Sequence, residues 1–289
     1  MSNRNRISER THEKKWTKRI VYLCSCALFL FYSVQTDAQD TLRTGKVITN
    51  AQIIGIGHVN QLDTYLSPLE YRGFELRYLS HSIRENNTRI SREIIHQAHF
   101  SSTHNRAESN NELGGLYNFQ YNIQYELGKW NTGSGTLVVK AGGGIDANVG
   151  FLYNTRNSNN PAQAYVNLNL APNATAAYRF RMWKRPFQIR YEAQVPLVGL
   201  MFAPNFGQSY YEIFSEGNYD HNIVPTTIIS TPSLRQMLTF DFTIHHTTVR
   251  LGYLGDFQQA KVNGLKYHTW SNMLIVGLVR KFSITKILP

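Results

Sequence analysis

The sequence predicts an all-β protein built as a single antiparallel transmembrane β-barrel of about twelve strands, within a range of ten to fourteen. Three observations carry this expectation. Apolar and polar residues alternate strictly over several stretches of ten or so residues. An export leader precedes a remainder that contains no cysteine. Only 17% of the 289 residues are charged while 12% are aromatic, a charge content well below the roughly 25% of ordinary soluble domains. The mean hydropathy is nonetheless negative, which excludes a bundle of membrane helices.

The N-terminus is basic, with Arg4, Arg6, Arg10, Lys14, Lys15, Lys18 and Arg19. An apolar run from Ile20 to Val34 follows, too short for the ~20 residues of a spanning helix. It ends at Thr36-Asp37-Ala38, with small residues at the two positions a signal peptidase reads. This is the pattern of a secretory signal peptide. The expected organisation is a leader over 1–38 and a barrel domain over 39–289. Leu23-Cys24-Ser25-Cys26 resembles a lipoprotein box, but the apolar run continues through Ala27-Leu28-Phe29. Both cysteines lie in the leader, so the exported chain has no disulfide or thiolate chemistry. The whole chain carries a net charge of +11. Removing the leader's seven basic and three acidic residues leaves a basic balance spread along the chain rather than gathered into a stripe, which argues against nucleic acid as a partner.

Period-two alternation marks the strands. In the clearest, Tyr117, Phe119, Tyr121, Ile123, Tyr125 and Leu127 alternate with Asn118, Gln120, Asn122, Gln124 and Glu126. Phe74, Leu76 and Tyr78 interleave with Glu75 and Arg77; Tyr178 and Phe180 with Arg179 and Arg181; Phe187, Ile189 and Tyr191 with Arg190 and Glu192; Phe240 and Phe242 with Asp241; Val249 and Leu251 with Arg250. The predicted strands are 50–59, 70–80, 93–104, 114–127, 135–151, 162–170, 174–183, 187–201, 209–215, 234–245, 247–257 and 269–282. Strands this long suit a bilayer, which needs about 9–11 tilted residues, better than a sandwich, where 5–6 is usual. Trp130, Trp183 and Trp270 fall beside predicted turns, as an interfacial girdle requires. Short inner links are expected at 128–134, 171–173 and 245–247. Longer outer ones are expected at 60–69, 105–113, 153–162, 216–233 and 258–268, with 184–186 a short outer link and 81–92 a long inner one. The glycines Gly142-Gly143-Gly144 sit in a strand with no helix after them, so they are read as bending the strand and not as a phosphate loop. Asn173 matches the N-x-[ST] pattern, to which no role is given.

The leader, the Gln39-Asp40 start after Ala38, the barrel alternation and the closing Gly277-Leu278-Val279-Arg280-Lys281-Phe282 resemble outer-membrane proteins of Bacteroidetes. Asn105-Arg106-Ala107 with Asn110-Asn111, Tyr153-Asn154-Thr155-Arg156-Asn157, Met201 to Phe214 and Pro232 to Phe242 are similar to a family of unknown function from that group. The resemblance spans roughly Gln52 to Phe282 and implies fold and location, with no activity. It also implies outer-membrane lipid, lipopolysaccharide and the barrel-insertion machinery as partners, Phe282 standing near the C-terminus where the insertion signal is read.

Two readings of function follow. In the first, Glu75, Arg77, Gln120, Gln124, Glu126, Arg179, Arg181, Arg190, Glu192, Asp241 and Arg250 point into the lumen. There they either cross-link and block it or line a narrow pore for small polar solutes. The barrel is then a monomeric, non-enzymatic envelope protein without cofactor or metal. In the second, His99-Phe100-Ser101 resembles the His-x-Ser pair of outer-membrane phospholipase A and lipid A deacylase, with Asn111 as orienting group. An imidazole beside a hydroxyl activates it as a nucleophile. However, Ser102 and Thr103 replace the residues those motifs carry next, and the alternation turns His99 and Ser101 toward the lumen, away from lipid. Histidine metal sites are not expected, because His96/His99 and His245/His246 place their rings on opposite faces of a strand. The loop residues Arg106, Arg156, Lys184, Arg185, Lys261 and Lys266 are candidates for lipopolysaccharide phosphates.

Overall fold

The computed structural model describes residues 46–284 except 87, 159 and 246. The predicted leader with Cys24, Cys26 and Ala38, together with Asn87 and His246, lies outside the described residues. Among the described residues, twelve strands and one short helix follow in order: β1 Lys46–Asp63, β2 Tyr71–Glu85, β3 Ile90–Asn105, β4 Asn111–Thr132, β5 Gly135–Asn154, β6 Ala162–Met182, β7 Arg185–Gln194, β8 Val198–Phe202, α1 Tyr210–Phe214, β9 Ile223–Thr227, β10 Leu234–Ile244, β11 Thr247–Val262 and β12 Leu265–Ile284.

Ten of the strands close a ring, running from β1 through β7 to β10, β11, β12 and back to β1. The two remaining strands extend it at one end. β6 pairs with β7 over Asn173–Met182 and with β8 over Val166–Leu170, and β9 pairs with β8. β7 and β8 are therefore two halves of one wall strand, interrupted at Val195-Pro196-Leu197. Backbone bonding survives the break: Val195 N donates to Pro172 O at 3.1 Å and Leu197 N to Leu170 O at 3.0 Å.

The register fixes the barrel's dimensions. Followed from Ile54 through β2 to β5, cross-strand partners arrive at Val166 of β6; followed through β12, β11, β10 and β7 they arrive at Tyr178, twelve residues away on the same strand. That offset is the stagger of the closed sheet. At about 3.3 Å per residue and about 4.8 Å between strands it tilts the strands by roughly 40° and sets a backbone radius of roughly 10 Å. Such tight coiling needs close backbone approach at Gly142, where an added Cβ would stand 1.9 Å from Ile123 O on β4.

Side chains sort by face. Ile54, Ile56, Leu76, Phe100, Val149, Leu168, Leu200, Leu238 and Val276 are exposed on the outside, and Leu274 is 71% exposed. Polar residues line most of the inside. This is the polarity of a transmembrane barrel, in which every backbone N–H and C=O is paired before the wall meets hydrocarbon. Trp130 and Trp183 lie at one end of the wall and Trp270 toward the other. The links at the end where β1 begins and β12 ends (the terminus-bearing end, after the first and last described residues) span only 86–89, 133–134, 183–184 and 245–246, whereas 64–70, 106–110, 155–161 and 203–222 lie at the opposite end.

Several predicted elements are corrected. The predicted turn 171–173 is the middle of β6. Pro172 is tolerated there because it sits where β6 changes partner from β7 to β8, so no ladder donor is missed. The predicted strand 209–215 is α1, held by a capping box in which Ser209 Oγ accepts from Glu212 N at 3.2 Å and Glu212 Oε2 accepts from Ser209 N at 2.6 Å. The predicted loop 258–268 is a two-residue hairpin, Asn263-Gly264, with φ of 51° and 76°. Both central residues at positive φ make the tight turn that matches strand twist. The 184–186 link is likewise a tight hairpin, Trp183-Lys184, and lies at the terminus-bearing end. The loop cations thus divide: Lys184 and Arg185 at that end, Arg106, Arg156, Lys261 and Lys266 at or near the other. One interior wall is also apolar, with Ala51, Ile53, Leu79, Ile95, Met237, Leu254, Met273, Ile275 and Val279 forming a buried cluster.

The assignment of faces predicts an asymmetry. Leu274→Arg, on the outer wall, should destabilise the refolded barrel by about 2–4 kcal/mol in urea titrations in lipid. Unchanged stability would mean that this face does not meet hydrocarbon.

Candidate functional site

The polar interior is the candidate site, and it is built in layers down the axis. Nearest the long-loop end, Gln61 Nε2 donates to Thr103 Oγ1 at 2.7 Å, and Asn154 Nδ2 donates to Glu112 Oε1 and Tyr71 Oη, each at 3.1 Å. The 203–222 segment closes over this end, with Tyr210 Oη accepting from Ala164 N at 2.7 Å and bonded to Gln163 Oε1 at 2.8 Å. Burial pushes the Tyr210 phenol above its usual range.

The next layer is ionic. Arg77 Nε donates to Glu75 Oε1 at 2.8 Å, and its Nη1 donates to Asp256 Oδ2 at 2.5 Å and Gln97 Oε1 at 3.1 Å. Arg235 lies 3.4 Å from the same Asp256 oxygen and 3.3 Å from Asp146 Oδ1. Ser271 Oγ donates to Glu75 Oε2 at 2.5 Å. Asn118 donates to Asp146 and accepts from Gln97 and Gln120. Strands three apart around the ring are thereby tied: β2 to β11, and β5 to β10.

In the third layer Arg190 of β7 crosses to Glu93 of β3 while also engaging Glu192 on its own strand. Arg250 and Asp241, register partners on β11 and β10, form a two-point pair at 2.7 and 2.8 Å. Gln124 Nε2 donates to Asn173 Oδ1 at 2.8 Å and Thr175 Oγ1 at 2.9 Å. The last layer opens at the terminus-bearing mouth. There Glu85 receives Lys140 Nζ at 2.6 Å and Arg179 Nη2 at 3.3 Å, and Arg179 Nε donates to Gln188 Oε1 at 3.0 Å. Arg179 and Arg181 are exposed at this mouth, and Glu126 is half-buried. With Lys281 and Asp241 the two arginines line a vestibule of about 480 Å³. Between the layers, cavities measure about 20 to 30 Å³, room for one or two water molecules.

The hydrolase grouping is not assembled. His99 faces inward with Nδ1 3.6 Å from Glu75 Oε1, and Ser101 Oγ donates to Gln61 Oε1 at 3.4 Å and not to His99. Asn111 is exposed at the rim, where β4 begins. His96 points outward, its Nδ1 2.7 Å from Tyr117 Oη. The partners Asp146, Asp256, Arg235, Glu93 and Glu85 did not emerge from sequence reasoning. Arg235 and Asp256 lie on β10 and β11, beside residues whose alternation was read.

A closed antiparallel barrel, apolar outside and cross-braced inside, defines the outer-membrane β-barrel class. The chain belongs to the family described as "Protein of unknown function (DUF3316)", whose model matches residues 21–287. No curated relative matches it. It is similar to the transport unit of the autotransporter AIDA-I from Escherichia coli, with 7% identity, 90% of this chain and 97% of that one covered, and a TM-score of 0.44. It is also similar to the outer membrane protease OmpT from Escherichia coli, at 7% identity, 86% and 100% coverage and a TM-score of 0.39. A third similar structure is Neisserial surface protein A, at 10% identity, 80% and 96% coverage and a TM-score of 0.32.

The ionic bracing predicts that Arg77→Met, which leaves the buried Glu75 without its guanidinium and Asp256 with Arg235 alone, lowers unfolding free energy by about 3–5 kcal/mol. The check is urea unfolding in detergent or lipid. A loss under 1 kcal/mol would show that Arg77 does not brace the lumen.

Proposed function

We propose that the protein resides in the bacterial outer membrane as a monomeric, non-enzymatic structural barrel whose lumen is closed to solutes. The observation that carries this reading is the lumen itself: charged side chains from strands three or four apart around the ring meet inside it, and the cavities between these layers measure about 20 to 30 Å³. An ion pair this buried breaks at high cost when one partner is withdrawn, so the bracing resists transient opening. The apolar outer wall and the basic, apolar leader support the location. Arg106, Arg156, Lys261 and Lys266, at or near the long-loop end, suit lipopolysaccharide phosphates on the cell surface. Phe282, exposed near the end of β12, suits recognition by the insertion machinery. A hydrolase would need His99 and Ser101 at the lipid face, and neither is there.

Planar-bilayer recording tests the closed lumen. The wild type should give no current steps above the lipid baseline, whereas the Arg77→Ala/Arg235→Ala double variant should give measurable conductance. Steady single-channel steps from the wild type would replace the closed barrel with a narrow polar pore.

A further inference from the structure

His81, Glu93 and Glu192 stand apart from the rest of the lumen. His81 on β2 is 1% exposed, and neither ring nitrogen has a hydrogen-bond partner. A buried polar group left unmatched costs about 1–3 kcal/mol, so a fully enclosed imidazole with two idle nitrogens is the most under-used group of the interior. Its Nε2 lies 3.9 Å from Glu93 Oε2. That is too long for a hydrogen bond, yet two ligands of one ion, each about 2.0–2.2 Å from it, keep a spacing of roughly 3–4 Å. One ligand atom from each of His81, Glu93 and Glu192 lies within 4.8 Å of the others.

Arg190 arranges the carboxylates for this. Its Nη2 holds Glu93 Oε1 and its Nε holds Glu192 Oε1, leaving the second oxygen of each directed elsewhere. Both carboxylates hydrogen-bond this one guanidinium, while Arg250 is paired with Asp241 and Lys140 with Glu85. Glu93 and Glu192 also line a cavity of about 30 Å³, enough for a water as a further ligand.

We propose that His81, Glu93 and Glu192 form a binding site for one divalent transition-metal ion inside the barrel. One imidazole and two carboxylates suit the zinc, cobalt and manganese class, whereas calcium and magnesium favour all-oxygen sites. The ion would tie β2, β3 and β7 across the lumen, supplementing the arginine braces. Because the lumen is closed, it would enter during folding.

The test uses the full chain, refolded in detergent with Co2+ present and then dialysed. The wild type should retain one Co2+ per chain by elemental analysis and show visible d–d absorption. His81→Ala and Glu192→Gln should each weaken Co2+ retention more than about tenfold, with the folded state confirmed by gel mobility shift and circular dichroism. His99→Ala, at a histidine outside the cluster, should bind as the wild type does. A folded wild type with no stoichiometric metal, as expected if a proton on His81 balances the carboxylates, would overturn the proposal. So would undiminished binding in both folded cluster variants.

Discussion

A polypeptide backbone in hydrocarbon finds no water for its N–H and C=O groups, and an unpaired group there costs several kcal/mol. This constraint organises the molecule. It requires the sheet to close, and closure of ten strands with a twelve-residue stagger sets a radius near 10 Å. Eight strands leave a channel that side chains of ordinary size fill; ten leave a wider one. Long side chains are needed to reach the axis from both walls. Arg77, Arg190 and Arg235 do this, and each meets a carboxylate that arrives from a strand elsewhere on the ring.

The interior is nonetheless not uniformly polar. β1 and β12 present apolar residues to both sides: Met273 and Ile275 are buried in the lumen, while Leu274 and Val276 face outward. The ionic layers lean on this apolar wall, which limits water around Arg77 and Asp256 and strengthens their attraction. The two ends differ in construction. Hairpins of two to four residues finish the terminus-bearing end, whereas the opposite end is closed by the 203–222 segment with its capped helix.

Strict alternation made β4 readable from Tyr117 to Leu127, because each residue there has one environment. β12 reads poorly for the opposite reason, since a run apolar on both faces does not reveal that half of it packs inside. The predicted strand 187–201 runs through Pro196 and covers β7 and β8 together, whereas β9 lay inside the predicted link 216–233, cut off from β10 by the excursion over 228–233. Helix α1 was hidden by aromatic residues that read as strand, although Ser209 and Glu212 carry a capping signature. Asn263-Gly264 is a hairpin signal of the strongest kind and lay inside a stretch taken for a loop. For the candidate site, alternation assigns a face to a residue such as Arg190 but not a partner. Glu93 lies four strands away around the ring, and only the accumulated register brings the two together.

The central claim is that one face of each strand is in lipid and the other in a packed, nearly water-free lumen. The described residues contain no cysteine, so with Cys24 and Cys26 replaced, single cysteines can be placed along Tyr117 to Leu127 and spin-labelled in bilayers. Collision with oxygen and with a water-soluble nickel chelate then reports each environment. Labels at Tyr117, Phe119, Tyr121, Ile123 and Tyr125 should be open to oxygen and closed to nickel, and those at Asn118, Gln120, Asn122 and Gln124 closed to both. Nickel access at the even positions would mean a water-filled channel, and loss of the two-residue period would mean that the wall is not a membrane-spanning strand.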